Sequence, residues 1–376
     1  MHKFRLLQLL LLAGATCLPS SAQDVILGAG GRLVRCDPSG KVQWELPWGG
    51  IHDLHQLPNG NLMVQRGGAE VVEVVPRTGR VVWSYNSGAN QTEYEGRVEV
   101  HAFQPLANGR VMIAESGPAR IIEVNRLGQI QLTTPFKVDK PNPHRDTRLV
   151  RKLESGNYLV CHEGDGAVRE LEPETGKIAW EFKIPMFGLE PAGGHGPTAM
   201  GNSVFGAVRL ANGNTLIATG NGHRVLEVTP EGEIVWSLKP GDLPGIDLGW
   251  ITTLQVLESG HYAIGNCHAG EGQPILLVLD PATKKLAWTL DAHAAFGNNV
   301  SNSLVLGVGA EAELLARARR LHAEVITLDT HKDISSSLAS ADVPEEESKR
   351  EEWSLRNDPR RWGRSQVDFP KMHAGG

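Results

Sequence analysis

The chain has 376 residues, a formal net charge of -6, 43 glycines and an aromatic content of 6%. That length allows two or three domains, and the mild acidic balance excludes the basic field on which nucleic-acid binding depends. A glycine-rich, aromatic-poor composition fits turn-dense β structure, and beyond the first residues no apolar run is long enough to span a bilayer.

Residues 1–22 read as a secretory leader. Lys3 and Arg5 give the positive start, residues 6–15 an apolar core too short to cross a membrane, and Ser20 and Ala22 the small residues of a cleavage site. Cleavage is expected after Ala22, which makes the mature protein periplasmic or extracellular. Cys17 is a poor lipid acceptor, because Gly14 and Thr16 occupy positions where Leu and a small residue are wanted. Cys36, Cys161 and Cys267 remain, an odd number with no paired spacing. They are expected as small buried hydrophobes rather than as a disulfide framework.

A repeat then fills the chain to Leu306. Each copy carries a turn ending in Gly, an apolar strand, and a later Trp. The turns are Asn59-Gly60, Asn108-Gly109, Ser155-Gly156, Asn212-Gly213 and Ser259-Gly260. From each Gly to the Trp slot (Trp83, Leu132, Trp180, Trp236, Trp288) the spacing is 23, 23, 24, 23 and 28. The last copy is longer because residues 269–274 insert a Gly-rich loop. Asn-Gly predicts a hairpin turn with both turn residues at positive φ. Four strands per copy at this period predict a β-propeller blade.

The first copy, with Trp44, supplies only three strands (residues 25–27, 32–36 and 42–46). The missing strand is expected from residues 300–306, so the two ends of residues 23–306 share one blade and close a six-bladed ring without exposed edges. The Trp residues are expected to pack between neighbouring blades.

Innermost strands line a propeller's channel. The residue eight before each turn Gly should fall in register there: His52, His101, Arg148, Phe205 and Thr252. Two histidines and an arginine predict a polar, partly cationic pocket suited to a carboxylate or a sulfate or phosphate ester. His52 and His55 should point to opposite faces and not form a ligand pair. Cys161-His162-Glu163, Cys267-His268 and the His195 loop carry no metal-ligand spacing.

The segment His52-Asp53-Leu54-His55-Gln56-Leu57-Pro58-Asn59-Gly60 resembles the opening of arylsulfotransferase-like propellers, and the repeat as a whole resembles quinoprotein (PQQ-type) propellers. The first resemblance implies sulfuryl transfer by channel residues, with His52, His101 and Arg148 as the matches here. The disulfide expected near such a site has no counterpart.

After Leu306 the pattern changes. Residues 310–322 predict a helix with Leu314, Leu315, Ala318 and Leu321 in one stripe, and residues 325–328 a buried strand. His331 and Asp333 follow, two apart, pointing the same way toward one metal ion. Leu321-His322-Ala323-Glu324-Val325, His331-x-Asp333 and the run from Gln366 to Gly376 resemble the membrane (renal) dipeptidase family of zinc peptidases. The resemblance implies a (β/α)8 barrel, a dipeptide substrate and two zinc ions, with His331 and Asp333 as ligands of the first. The bridging Glu and later histidines that the family requires would fall past residue 376, so this α/β fragment is expected to be an incomplete, inactive site. Without sheet partners the tail is expected to be poorly ordered or to lie as a helix against the propeller. No cofactor is expected, zinc entering only with a complete barrel. The function expected is therefore an exported binding or scaffolding propeller, its partner a small molecule or protein, with a channel enzyme as the alternative.

Overall fold

The computed structural model describes residues 22–90, 94–297 and 299–307. The leader, the tail helix and strand, and His331 and Asp333 lie outside the described residues.

Six four-stranded antiparallel sheets follow one another along the chain. The first blade is assembled from both ends. Its strands Val25–Ala29, Arg32–Cys36 and Val42–Leu46 are joined by Val300–Val305, which pairs with Val25–Ala29 through Val25↔Val305, Leu27↔Ser303 and Gly28↔Asn302. The innermost strands of the other blades are Leu54–Gln56, Glu99–Pro105, Val150–Lys152, Gly206–Arg209 and Trp250–Val256. Each of the six touches its two neighbours, so they form a closed ring around the channel. Among the described residues no helix is long and apolar enough to cross a membrane.

Every blade is covered on both faces by its neighbours, and this shapes the sequence. Second strands such as Val111–Ser116 and Tyr158–His162 are buried at every position, whereas the outer strand Arg80–Asn86 alternates. The apolar residues divide into six clusters, each filling the gap between two adjacent blades. Cys36, Cys161 and Cys267 are buried within this packing and none is in a disulfide, as expected.

The Trp residues do more than fill gaps. Trp83 Nε1 donates to the Arg126 carbonyl at 3.0 Å, Trp180 Nε1 to that of Pro230 at 2.8 Å, and Trp236 Nε1 to that of Pro281 at 2.8 Å. Each acceptor lies in the outer turn of the next blade, so the indole links consecutive repeats. Trp288 packs in the same way, but its Nε1 is buried without a partner.

The repeated turn differs from expectation. Gly109 and Gly213 take positive φ (80° and 88°), but Asn108 and Asn212 do not. Gly109 N–H donates to the Leu106 carbonyl at 3.0 Å, and Leu106 N–H to that of Arg110 at 2.8 Å. This is a type I turn followed by one left-handed Gly, a geometry that leaves the residue before Gly in an ordinary conformation. Ser155 and Ser259 therefore replace Asn there without strain.

Candidate functional site: the central channel

The five residues picked out by repeat register converge. His52, His101, Arg148, Phe205 and Thr252 line a single cavity of about 280 Å3, and Asn302 on the closing strand adds the remaining blade's contribution. They do not sit in regular ladder, however. His101 lies at a register shift between Val100 and Ala102, and Thr252 at one between Ile251 and Leu254. His52, Arg148 and Phe205 precede their strands. A break in pairing lets the backbone re-aim a side chain, and here it occurs at the same repeat position in five blades.

The backbone of His52 is fixed on both sides. Gln65 Oε1 accepts its N–H at 3.2 Å, and Asn302 Nδ2 donates to its carbonyl at 2.6 Å. Its ring stands edge-on to His101, with centroids 4.8 Å apart. Burial, then His101 and the Arg148 guanidinium, push the His52 imidazole well below its ordinary value, so the ring is neutral. Its Nδ1 is buried and has no partner.

Arg148 is buried over the Phe205 ring, 4.7 Å from the centroid. Its Nε donates to Glu163 Oε2 at 2.5 Å, and Arg145 Nε holds the other carboxylate oxygen at 2.9 Å. Arg148 Nη2 donates to His144 Nε2 at 3.2 Å, while Nη1 is buried without a partner. Arg151 is matched in the same way, both of its Nη atoms donating to Asp53 at 2.7 Å. The channel is therefore polar but close to charge balance, because each arginine brings its own carboxylate. The expected partly cationic character is reduced to a single unsatisfied guanidinium N–H.

Two residues at the site were not picked out by repeat register. Glu99 shares the inward side of its strand with His101, two positions away, and His144 comes from the loop before Arg148. Glu99 Oε2 lies 3.0 Å from His101 Nε2 and 2.8 Å from His144 Nδ1. The loop is firmly placed: Asn142 N–H donates to Asp146 Oδ1 at 2.6 Å, and the Asp146 and Arg145 N–H groups donate to the Asn142 carbonyl. The hydrogen bond with His101 is the largest influence on Glu99. Outweighing burial, it holds the carboxyl down at about 2.

The remaining histidines are structural. His55 also lines the cavity, but its Nε2 is engaged by the Phe103 carbonyl at 2.7 Å and lies 3.5 Å from Asp53 Oδ1. His162 Nδ1 donates to the Asp146 carbonyl at 2.7 Å, and the His223 nitrogens meet the carbonyls of Gly249 and Ala199. His195 and His268 face each other with centroids 5.3 Å apart, beside Trp250.

Fold and channel together define a closed six-bladed propeller of quinoprotein-type repeats. Residues 29–289 match the family described as outer membrane protein assembly factor BamB, and the chain belongs to that family. A protein of unknown function from Bacteroides caccae has a similar structure, with 24% identity and a TM-score of 0.60 over 75% of this chain and 98% of that one. Virginiamycin B lyase from Staphylococcus aureus, solved as an inactive variant with quinupristin, aligns at 15% identity and a TM-score of 0.46 over 71% and 79%. No curated protein matches the chain.

Proposed function

We propose that this protein is an exported binding propeller whose channel takes a small ligand with an anionic head. One observation carries this. Two residues lining the cavity, His52 and Arg148, keep buried polar atoms with no protein partner, Nδ1 and Nη1. Unsatisfied buried donors are costly, and an oxyanion would satisfy both: the guanidinium donates, and the neutral imidazole donates from its Nδ1–H tautomer. Because Glu163 already balances Arg148, recognition rests on hydrogen bonds rather than net charge. The cavity of about 280 Å3 suits a ligand at the small end of the usual range. The leader from Lys3 to Ala22 supports a location outside the cytoplasm, which fractionation of expressing cells would check.

The test is calorimetry of the full chain against simple carboxylates, phosphate monoesters and an aryl sulfate. Saturable binding is expected, weakened roughly 10- to 100-fold by Arg148→Gln. Absence of binding by every compound at about 10 mM, some 3 kcal/mol of affinity, overturns the assignment. Turnover of the aryl sulfate would replace binding by sulfuryl transfer.

A second assignment concerns the tail alone. The His331-x-Asp333 pair and the run from Gln366 to Gly376 support descent from a zinc dipeptidase. Two ligands do not by themselves hold a binuclear centre, so this pair alone should not support dipeptide hydrolysis, and hydrolysis that survives His331→Ala would refute the assignment.

A further inference from the structure

We propose that Glu99, His101 and His144 form an open-sided site for one zinc-class divalent ion at the channel wall. The ligand atoms are Glu99 Oε2, His101 Nε2 and His144 Nδ1, all within 4.8 Å of one another. Two imidazoles and one carboxylate with a position left over make the donor set of a catalytic rather than a structural zinc site. Two imidazoles on one tetrahedral ion place their ring centres roughly 5 Å apart. The His101 and His144 centroids are separated by 5.3 Å, with planes at 87°.

The hydrogen-bond partners of His101 favour an ion independently. His101 Nδ1 lies 3.1 Å from the Thr147 carbonyl, which can only accept, so the ring's proton belongs on Nδ1. That leaves a lone pair on Nε2, facing a carboxylate oxygen at 3.0 Å. In that tautomer two lone pairs face each other, so the contact calls for a second proton or a metal ion between them. A metal ion meets the need directly. It also makes the Thr147 contact the usual outer support of a metal-bound histidine, an N–H donated to a backbone carbonyl that fixes tautomer and ring angle.

His144 is the adjustable member, its side chain 55% exposed. Arg148 Nη2 donates to its Nε2, which puts the His144 proton on Nδ1, toward Glu99. Ion binding moves that proton to Nε2 and breaks the Arg148 contact. Arg148 then has Nη2 free beside the already unpartnered Nη1, both able to meet an anion on the ion's open position. Metal and anionic ligand should therefore bind cooperatively, a consequence that rests on the channel assignment above, whereas the ion site itself does not.

The experiment is zinc titration of the chelator-stripped full chain, followed by calorimetry and by the visible spectrum of the cobalt-substituted protein. One ion per chain with a tetrahedral cobalt spectrum is expected. Glu99→Gln and His101→Gln should each weaken binding at least about 100-fold, as loss of a direct ligand does. His144→Ala, at a half-exposed ring, keeps the test valid should the buried variants fail to fold. A His331→Ala, Asp333→Ala chain should bind as the parent does. No binding, or binding lost with the tail pair and kept in His144→Ala, overturns the proposal. Anion binding measured on the stripped protein succeeds or fails separately.

Discussion

Asp53 and Arg151 stand 98 positions apart in the chain and form a two-pronged ion pair across the channel, with both N–O distances 2.7 Å. Asp53 also accepts the Phe103 N–H at 3.1 Å, so one carboxylate joins the second, third and fourth blades. Burial alone would raise its pKa, but Arg151 and His55 hold it well below the usual carboxylate range. Asp53→Asn should destabilise the protein by about 2 kcal/mol, because the part-buried Arg151 loses its carboxylate and keeps only backbone carbonyls as acceptors. Replacing both residues by Leu should cost less than either single change. A double-mutant cycle in urea checks this, and strictly additive costs would deny the coupling.

Stability should also fall with pH, beginning in the histidine range. Burial pushes the His162 imidazole down to about 4, despite its bond to the Asp146 carbonyl. An unfolded His takes its proton near 6.5, so between about 6.5 and 4 the unfolded chain binds the extra proton and gains on the folded one. The loss is on the order of 3 kcal/mol and levels off below about 4. Asp53 acts in the same direction at lower pH: its contribution is present above the unfolded carboxylate value and disappears as pH drops through the depressed folded value. Urea midpoints at pH 7.5 and 5 should differ in the parent and by less in His162→Gln, the remainder including the share of His52, which burial also pushes down.

The indole links make a contrast possible within one molecule. Trp236→Phe removes the bond to the Pro281 carbonyl and should cost about 1 kcal/mol. Trp288→Phe removes a buried N–H that has no partner, and should be neutral or stabilising. Equal costs for the two would show that the hydrogen bond adds nothing to the packing.

Much of this architecture was legible in the sequence, because repetition averages away the ambiguity of single strands. The fixed interval from turn Gly to Trp located the blades, and the three-strand first copy required the strand near residue 300. The same register picked out His52, His101 and Arg148 as channel neighbours. It could not pick out Glu99 or His144, since neither occupies a repeat-equivalent position. Glu99 left one local signal, a Glu-x-His spacing that puts both side chains on one side of a strand. His144 left none, because its place depends on the fold of a loop. Charge balance was equally hidden: Glu163 and Asp53 look like ordinary strand-end acids until the ring brings them to Arg148 and Arg151.

Gly28 offers a test of ring closure. A Cβ there would lie 2.7 Å from Ile51 Cβ and 3.1 Å from Ser301 Oγ, where the two chain ends meet. Ser301 Oγ donates to the Ile51 carbonyl at 2.6 Å and lies 3.1 Å from that of Gly28. Gly28→Ala should cost about 1 to 3 kcal/mol through overpacking. Thermal denaturation checks it, and an unchanged midpoint would mean that the contact yields freely.

The pairing of Val25–Ala29 with Val300–Val305 also sets a timetable. During synthesis the first sheet is one strand short until residue 305 emerges, although its other three strands are made first. Five sheets are contiguous in sequence and can form as they appear, but the ladder that joins the ends closes the longest loop in the chain. Long loops are slow to close, so the open ring, with an unpaired edge and apolar flanks exposed, is the species most open to aggregation or proteolysis. A circular permutant with its ends between two later blades would make the first sheet contiguous and move that vulnerable seam elsewhere, without changing a single contact in the finished channel.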